Sequence, residues 1–140
     1  MHEDAVIETT LRSKATAHEC RKLARSAADF LQQFIPNPEV LYELELVITE
    51  ACSNVILHGY GQDHNGDIEL RIALDTNNRI FLELRDWGEP FHGPGPEAFD
   101  VTSETESGRG LFIISELSDA YAYTRENGTN VLRIEKDINP

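Results

Sequence analysis

The sequence predicts an α+β fold, a two-layer α/β sandwich in which about three helices cover one face of a mixed, mostly antiparallel sheet. Three observations lead there. Apolar residues recur with a period near 3.6 in three segments and with a period of two in the others. The elements follow the order β-α-α-β-β-loop-α-β-β, with no strand–helix–strand alternation to build a parallel sheet. The chain has 140 residues, 40% of them hydrophobic and 26% charged, which suits a single domain, expected over 1–140.

Ala5 to Leu11 carries the β-formers Val6, Ile7, Thr9 and Thr10 and reads as a first, edge strand. Ser13 or Thr16 can cap the helix that follows, and Thr16-x-x-Glu19 has the form of a capping box. Cys20, Leu23, Ala24, Ala27, Phe30, Leu31 and Phe34 then fall on one helical face, with Arg21, Lys22, Arg25, Asp29 and Gln32 opposite. Asn37 suits an N-cap and Pro38 the first turn of a second helix, expected to run to about His58 before Gly59-Tyr60-Gly61.

The period then changes to two. Ile68, Leu70, Ile72 and Leu74 are followed, across Asp75-Thr76-Asn77-Asn78, by Ile80, Leu82 and Leu84, two antiparallel strands with one buried face. From Asp86 to about Gly110 the pattern dissolves into glycine and proline, and a loop of that length inside a compact domain is usually functional. A third helix places Leu111, Ile114 and Leu117 on one side. Tyr121–Arg125 and Val131–Lys136 form a last hairpin across Glu126-Asn127-Gly128-Thr129.

Charge narrows the function classes. Acidic residues number 25 against 12 basic, a formal net charge of −13. A non-specific nucleic-acid binder needs a basic face to replace phosphate counterions, and an anionic membrane would repel this chain. No apolar run reaches about 18 residues, and Met1-His2-Glu3-Asp4 lacks the start of a secretory signal, so a cytoplasmic protein is expected. Cys20 and Cys52 both fall in helical patterns and read as reduced core thiols. His2, His18, His64 and His92 show no metal-ligand spacing.

Three short patterns carry chemistry. On the second helix Leu41, Leu44, Ile48, Cys52 and Val55 form one apolar stripe, while Glu50 and Asn54 lie one turn apart within a second strip of Leu46, Val47 and Leu57. A carboxylate and an amide there mark either a helix edge in water or a polar site on a buried helix. His58, a turn further on, reads as a partner of the helix C-terminal dipole or as a member of that site. Asp86-Trp87-Gly88-Glu89-Pro90 joins a strand end to the long loop. There an Asp can accept a hydrogen bond from a ligand amino group, and a Gly lets a flat ring approach the backbone. Trp87 and Phe91 flank this motif and read as core packing, with contact to a ligand ring as the alternative. Ser107-Gly108-Arg109-Gly110-Leu111 opens the third helix with glycines, where backbone N–H groups can meet phosphate.

Taken as an ordered set, these motifs resemble the GHKL (histidine-kinase-type, Bergerat-fold) ATPases, and among them the small anti-sigma factor serine-protein kinases of bacteria. Glu50-Ala51-Cys52-Ser53-Asn54 with Leu57-His58-Gly59-Tyr60 resembles their N box, Asp86-x-Gly88 and Gly108-Arg109-Gly110-Leu111 their glycine boxes, and Gly128-Thr129-Asn130-Val131 their closing motif. The resemblance implies ATP and Mg²⁺ as cofactors. It implies Asn54 as the Mg²⁺-binding residue and Glu50 as the catalytic residue, acting as general base or orienting the attacking hydroxyl. It implies Asp86 as acceptor for the adenine amino group, Gly88 as the point of close approach and Gly108 and Gly110 at the phosphates. Thr129 would support the adenine end, and 89–107 would form an ATP lid.

It further implies a protein-serine kinase that holds a sigma factor and phosphorylates an anti-sigma-factor antagonist, with a homodimer as the assembly. A binding module that uses ATP only to switch partners is the alternative. A catalytic domain cut from a sensor histidine kinase is a third, although no dimerising helical segment with an acceptor His precedes the motifs. Arg21 and Arg25 on the first helix are a candidate partner surface. Two features depart from the family pattern. Gly88-Glu89-Pro90 lacks the second glycine of the fuller box, and the lid segment is acidic, with Arg109 the only nearby cation. The resemblance therefore bears more directly on ATP binding than on phosphoryl transfer.

Overall fold

The computed structural model describes residues 5–60, 66–90 and 106–138. Strand β1 (Ala5–Lys14) leads into helices α1 (Ala17–Leu31) and α2 (Pro38–Asn54). A π-helical turn, Val55–Tyr60, extends α2; β2 (Asp67–Asp75), β3 (Arg79–Asp86), α3 (Glu106–Leu117), β4 (Ala120–Glu126) and β5 (Thr129–Asp137) follow. The strands form one sheet in the order β1-β2-β3-β5-β4. All four pairings are antiparallel, so β1 is an edge strand as expected and the sheet has no parallel pair among the described residues.

Local chemistry sets the boundaries. The Thr16 hydroxyl accepts from Glu19 N–H at 3.1 Å, so Thr16 rather than Ser13 caps α1. The Asn37 side chain accepts from Glu39 N–H at 2.9 Å, and Pro38 opens α2. Asn127 and Gly128, with φ of 51° and 81°, form the two-residue turn that matches strand twist, and this fixes the β4–β5 register. At the end of α3, Lys136 Nζ donates to the Leu117 carbonyl at 2.7 Å, satisfying an oxygen that the helix leaves open.

The core lies between the sheet and the helices. Leu23, Ala27 and Leu31 of α1, Leu44 and Ile48 of α2 and Ile114 of α3 pack on Ile68, Leu70, Ile72, Ile80, Leu82 and Ile134. Cys20 and Cys52 are buried free thiols in contact between α1 and α2. Hydrogen bonding to Cys20 and burial hold the Cys52 thiol well above its ordinary value. Phe34 falls beyond α1, exposed, with its ring edge against Phe30 at 5.4 Å. The second apolar strip expected on α2 is only partly present: Val47 is buried, whereas Leu57 is 45% exposed, since it lies on the side of the helix away from the buried Leu44, Ile48 and Cys52.

The other sheet face is ionic. Glu69, 3% exposed, takes Arg12 at 2.6 Å and Arg71 at 2.9 Å; Glu83, 6% exposed, takes Arg85 at 2.7 Å and Arg133 at 3.4 Å. The period of two hides this, since alternation foretells a polar face but not carboxylates covered by arginines.

Tyr60 joins the layers. Its hydroxyl donates to the Asp67 carbonyl at 2.8 Å and accepts from Trp87 N–H at 2.9 Å, and its ring fills the space that a side chain at Gly66 would need. Tyr60→Phe is expected to lower stability by about 1–2 kcal/mol through two lost hydrogen bonds, read as a lower urea midpoint with unchanged slope.

Candidate functional site

The site begins with a backbone crossing. α2 does not end at His58 in α geometry; the π-turn carries Gly59 onto the exit of β3, where its carbonyl accepts from Glu89 N–H at 2.7 Å. A Cβ on Gly88 would lie 2.3 Å from that carbonyl oxygen, and one on Gly59 would lie 3.1 Å from Asp86 Oδ1. Glycine at 88 is therefore a packing requirement, and single-turn π segments of this kind recur at functional sites.

Asp86 sits directly behind the crossing, 5% exposed. Its Oδ1 accepts from Gly88 N–H at 3.0 Å and from Asn130 Nδ2 at 2.8 Å; no described residue bonds Oδ2. Burial pushes the carboxyl above its ordinary value, opposed by the hydrogen bonds from Asn130 and Gly88 and by the Arg125 charge. A carboxylate with one oxygen engaged and the other bonded by no described residue is a directional acceptor, suited to an amino group on a ligand.

A cavity of about 40 Å³ opens beside Asp86. Ala51, Asn54, Val55, His58 and Gly59 line it from α2 and the π-turn; Leu84, Asp86, Tyr123, Asn130 and Leu132 line it from the sheet. Glu89 and Leu111 complete it. That volume holds water rather than a purine ring. His58 thus joins the site, and burial lowers its pKa from the ordinary value.

Glu50 and Asn54 stand at the other end, one turn apart and both half-buried. A Cβ on Gly110 would lie 3.0 Å from Glu50 Oε2 and 3.6 Å from Asn54 Oδ1. The absent side chain there is what lets α3 approach the pair. Gly108 lies in the first turn of α3. The structure therefore gathers Asn54, Asp86, Gly88 and the Glu50–Gly110 contact around one cleft.

It does not bring Thr129 into that cleft. Thr129 opens β5 opposite Glu126, half-buried, and does not line the cavity. The next residue does: Asn130, 1% exposed, donates from Nδ2 to Asp86 Oδ1, to the Glu89 carbonyl at 2.9 Å and to the Gly88 carbonyl at 3.3 Å. Strand alternation, counted from the Asn127-Gly128 turn, was the signal that could have found it. Trp87 is also corrected: it is 47% exposed rather than packed in the core, since Asp86 takes the inward position of that strand end. Phe91 and the lid residues 91–105 lie outside the described residues.

The oxygen of Asn54 is a hard ligand of the kind Mg²⁺ takes singly while keeping water and phosphate in its other positions. With the open Asp86 oxygen and the glycine-lined approach, the donor set fits a magnesium-bound adenine nucleotide.

The sequence matches the histidine kinase-like ATPase domain family over residues 13–136. It is 33% identical over 112 residues to the anti-sigma F factor of Geobacillus stearothermophilus, covering 76% of both chains. It is 27% identical over 97 residues to the serine-protein kinase RsbW of Bacillus subtilis (strain 168), covering 64% of this chain. The chain spans about 60% of the length of the RsbW relatives that it matches. Two solved structures share the fold. The RsbU and RsbW domains of Rv1364c from Mycobacterium tuberculosis give a TM-score of 0.69 at 16% identity, over 94% of this chain and 32% of that one. The SiaB-SiaC complex from Pseudomonas aeruginosa gives 0.65 at 15% identity, over 95% and 90%.

Because Asp86 binds its proton more tightly folded than unfolded, its charge costs stability once the pH rises above the unfolded value of about 4. Asp86→Asn keeps an oxygen for Asn130 and Gly88 and removes that charge. The variant is expected to have the higher urea midpoint at pH 7, and the margin should shrink as the pH falls through the raised value toward 4.

Proposed function

The chain belongs to the histidine kinase-like ATPase family, and on that premise we propose that it binds ATP with Mg²⁺ and phosphorylates a serine of a partner protein. That partner is an anti-sigma-factor antagonist, and the second partnership is with a sigma factor that the chain sequesters. The observation that carries the reading is the cleft itself, with the buried Asp86 acceptor at one end and Glu50 and Asn54 against Gly110 at the other. The relatives named as serine-protein kinase and anti-sigma F factor support the kinase and sigma-factor assignments.

When bound, Mg-ATP supplies an activated γ-phosphoryl group with part of its charge neutralised. The chain's residues do the rest by placement. Asp86 Oδ2 accepts the adenine amino group, and the Gly59–Gly88 crossing forms the wall against the base. Asn54 offers its oxygen to the metal. Gly108 and Gly110, early in α3, leave backbone room at the phosphates. Glu50, a turn from Asn54, takes the proton of the serine hydroxyl as it attacks. Residues 89–107 serve as the lid, and Thr129 supports the adenine end only through its neighbour Asn130. No described helix is long and apolar enough to cross a membrane, which suits work with cytoplasmic partners, and a homodimer is the assembly proposed.

Calorimetric titration with Mg-ATP tests the binding reading. Native protein is expected to bind, and Asp86→Asn to bind about 10–100-fold more weakly, because its amide turns an N–H toward the adenine amino group. No heat from folded native protein overturns the reading. Glu50→Ala should bind ATP within about twofold of native, yet form phosphoserine on the partner at least about a hundredfold more slowly by mass spectrometry. Undiminished phosphoserine removes Glu50 from the chemistry. None with native protein leaves a nucleotide-controlled binding switch.

A further inference from the structure

The geometry points to Arg125 as a positioning residue that sets the base selectivity of the cleft by fixing the amide of Asn130; the inference rests on the adenine-site reading above. Arg125 does not line the cavity, and it is exposed on the edge strand β4. The Asn127-Gly128 turn sets it directly opposite Asn130 in the ladder. Its Nη1 donates to Asn130 Oδ1 at 2.8 Å and to the Gly88 carbonyl at 3.1 Å.

An asparagine amide has nearly the same shape in its two flipped orientations, so its surroundings must choose between them. Here the choice is one-sided. A guanidinium only donates, so Oδ1 must face Arg125. Nδ2 then faces three acceptors: Asp86 Oδ1 and the carbonyls of Gly88 and Glu89. The flipped amide would set donor against donor at Arg125 and oxygen against oxygen at Asp86.

The consequence reaches the ligand through Asp86. The Asn130 and Gly88 bonds to Oδ1 and the Arg125 charge favour the ionised carboxylate against burial, which pushes the other way, and an ionised Asp86 presents an acceptor only. A purine with an amino group at that position is accepted, and one with a carbonyl there meets oxygen with oxygen. Without Arg125 the amide loses its anchor, so Asn130 can flip and set its oxygen against Asp86 Oδ1, and Asp86 loses a charge that favours its ionised form. The carboxylate is then no longer held as a fixed acceptor, and the discrimination narrows.

The test is calorimetry of Mg-ATP and Mg-ITP, which differ in that group, on native protein, Arg125→Met and Arg125→Lys. The native chain is expected to prefer ATP by at least about thirtyfold, the scale of one hydrogen bond to a charged group with its unsatisfied counterpart. Arg125→Met should narrow the preference below about fivefold in a chain that still folds, with a lower urea midpoint because the buried Asn130 Oδ1 loses its donor. Arg125→Lys, still a donor-only cation, should hold it above about tenfold. An unaltered preference in Arg125→Met overturns the proposal, as does a loss in Arg125→Lys as complete as in Arg125→Met. Binding of neither nucleotide by the native chain fails the adenine-site reading itself, and the proposal with it.

Discussion

The contact between the Gly59 carbonyl and the backbone at Gly88–Glu89 is the constraint on which the cleft depends. Two main chains from different layers meet with no side chain between them. The π-turn Val55–Tyr60 brings the Gly59 carbonyl to the strand end, where Glu89 N–H meets it. A π-turn is a poor helix on its own terms. What holds it is the bond from Glu89, the Tyr60 hydroxyl bridging Asp67 and Trp87, and the small volume of glycine at 59 and 88. From that junction Asp86 is placed behind the wall, and Asn54 stands at the last α-helical position before the turn.

Electrostatics is divided between the two sheet faces. On the outer face, arginines cover the carboxylates of Glu69 and Glu83, so each buried charge has its partners. Such pairs pay desolvation close to what they return, and they are better read as fixing which residue faces which across the strands than as a source of stability. On the inner face, the Asp86 carboxylate is held by neutral donors and a more distant guanidinium. One ionic pattern is closed on itself, and the other is left able to accept. A chain with a net charge of −13 can take an anionic ligand only where such local donors, helix ends and a metal outweigh the overall field.

Much of the fold was legible because period and punctuation agreed. The switch from a helical period to a period of two marked β2 and β3, and Asn37-Pro38 and Asn127-Gly128 marked a helix start and a hairpin through backbone preferences that act locally. Glu50, Asn54, Asp86 and Gly110, which the fold gathers around one cleft, stood out in the sequence because polar or glycine residues took places where an apolar or helix-forming residue would have been cheaper. What stayed hidden depends on tertiary contact. The π-turn has no local code, and Leu57 was grouped with Val47 by residue type although only Val47 borders the buried face. Trp87 was expected inside because indole is mostly apolar, while the strand end gave its inward position to a carboxylate. Asn130 was passed over for Thr129, since only the register of β4 on β5 shows which side of the strand meets Asp86. Arg125, exposed and unremarkable in composition, becomes legible only once Asn130 is seen opposite it.

The junction also has a kinetic meaning. The hydrogen bond from Asn130 to Asp86 joins residues 44 apart in the chain, and that from Trp87 to Tyr60 joins residues 27 apart. β3 and its neighbour β5 are separated in the chain by α3 and β4, so their pairing closes a long loop before its contacts reward it, which slows folding. The cleft shares that dependence: a change that weakens the β3–β5 pairing also loosens the placement of Asp86 against Asn130.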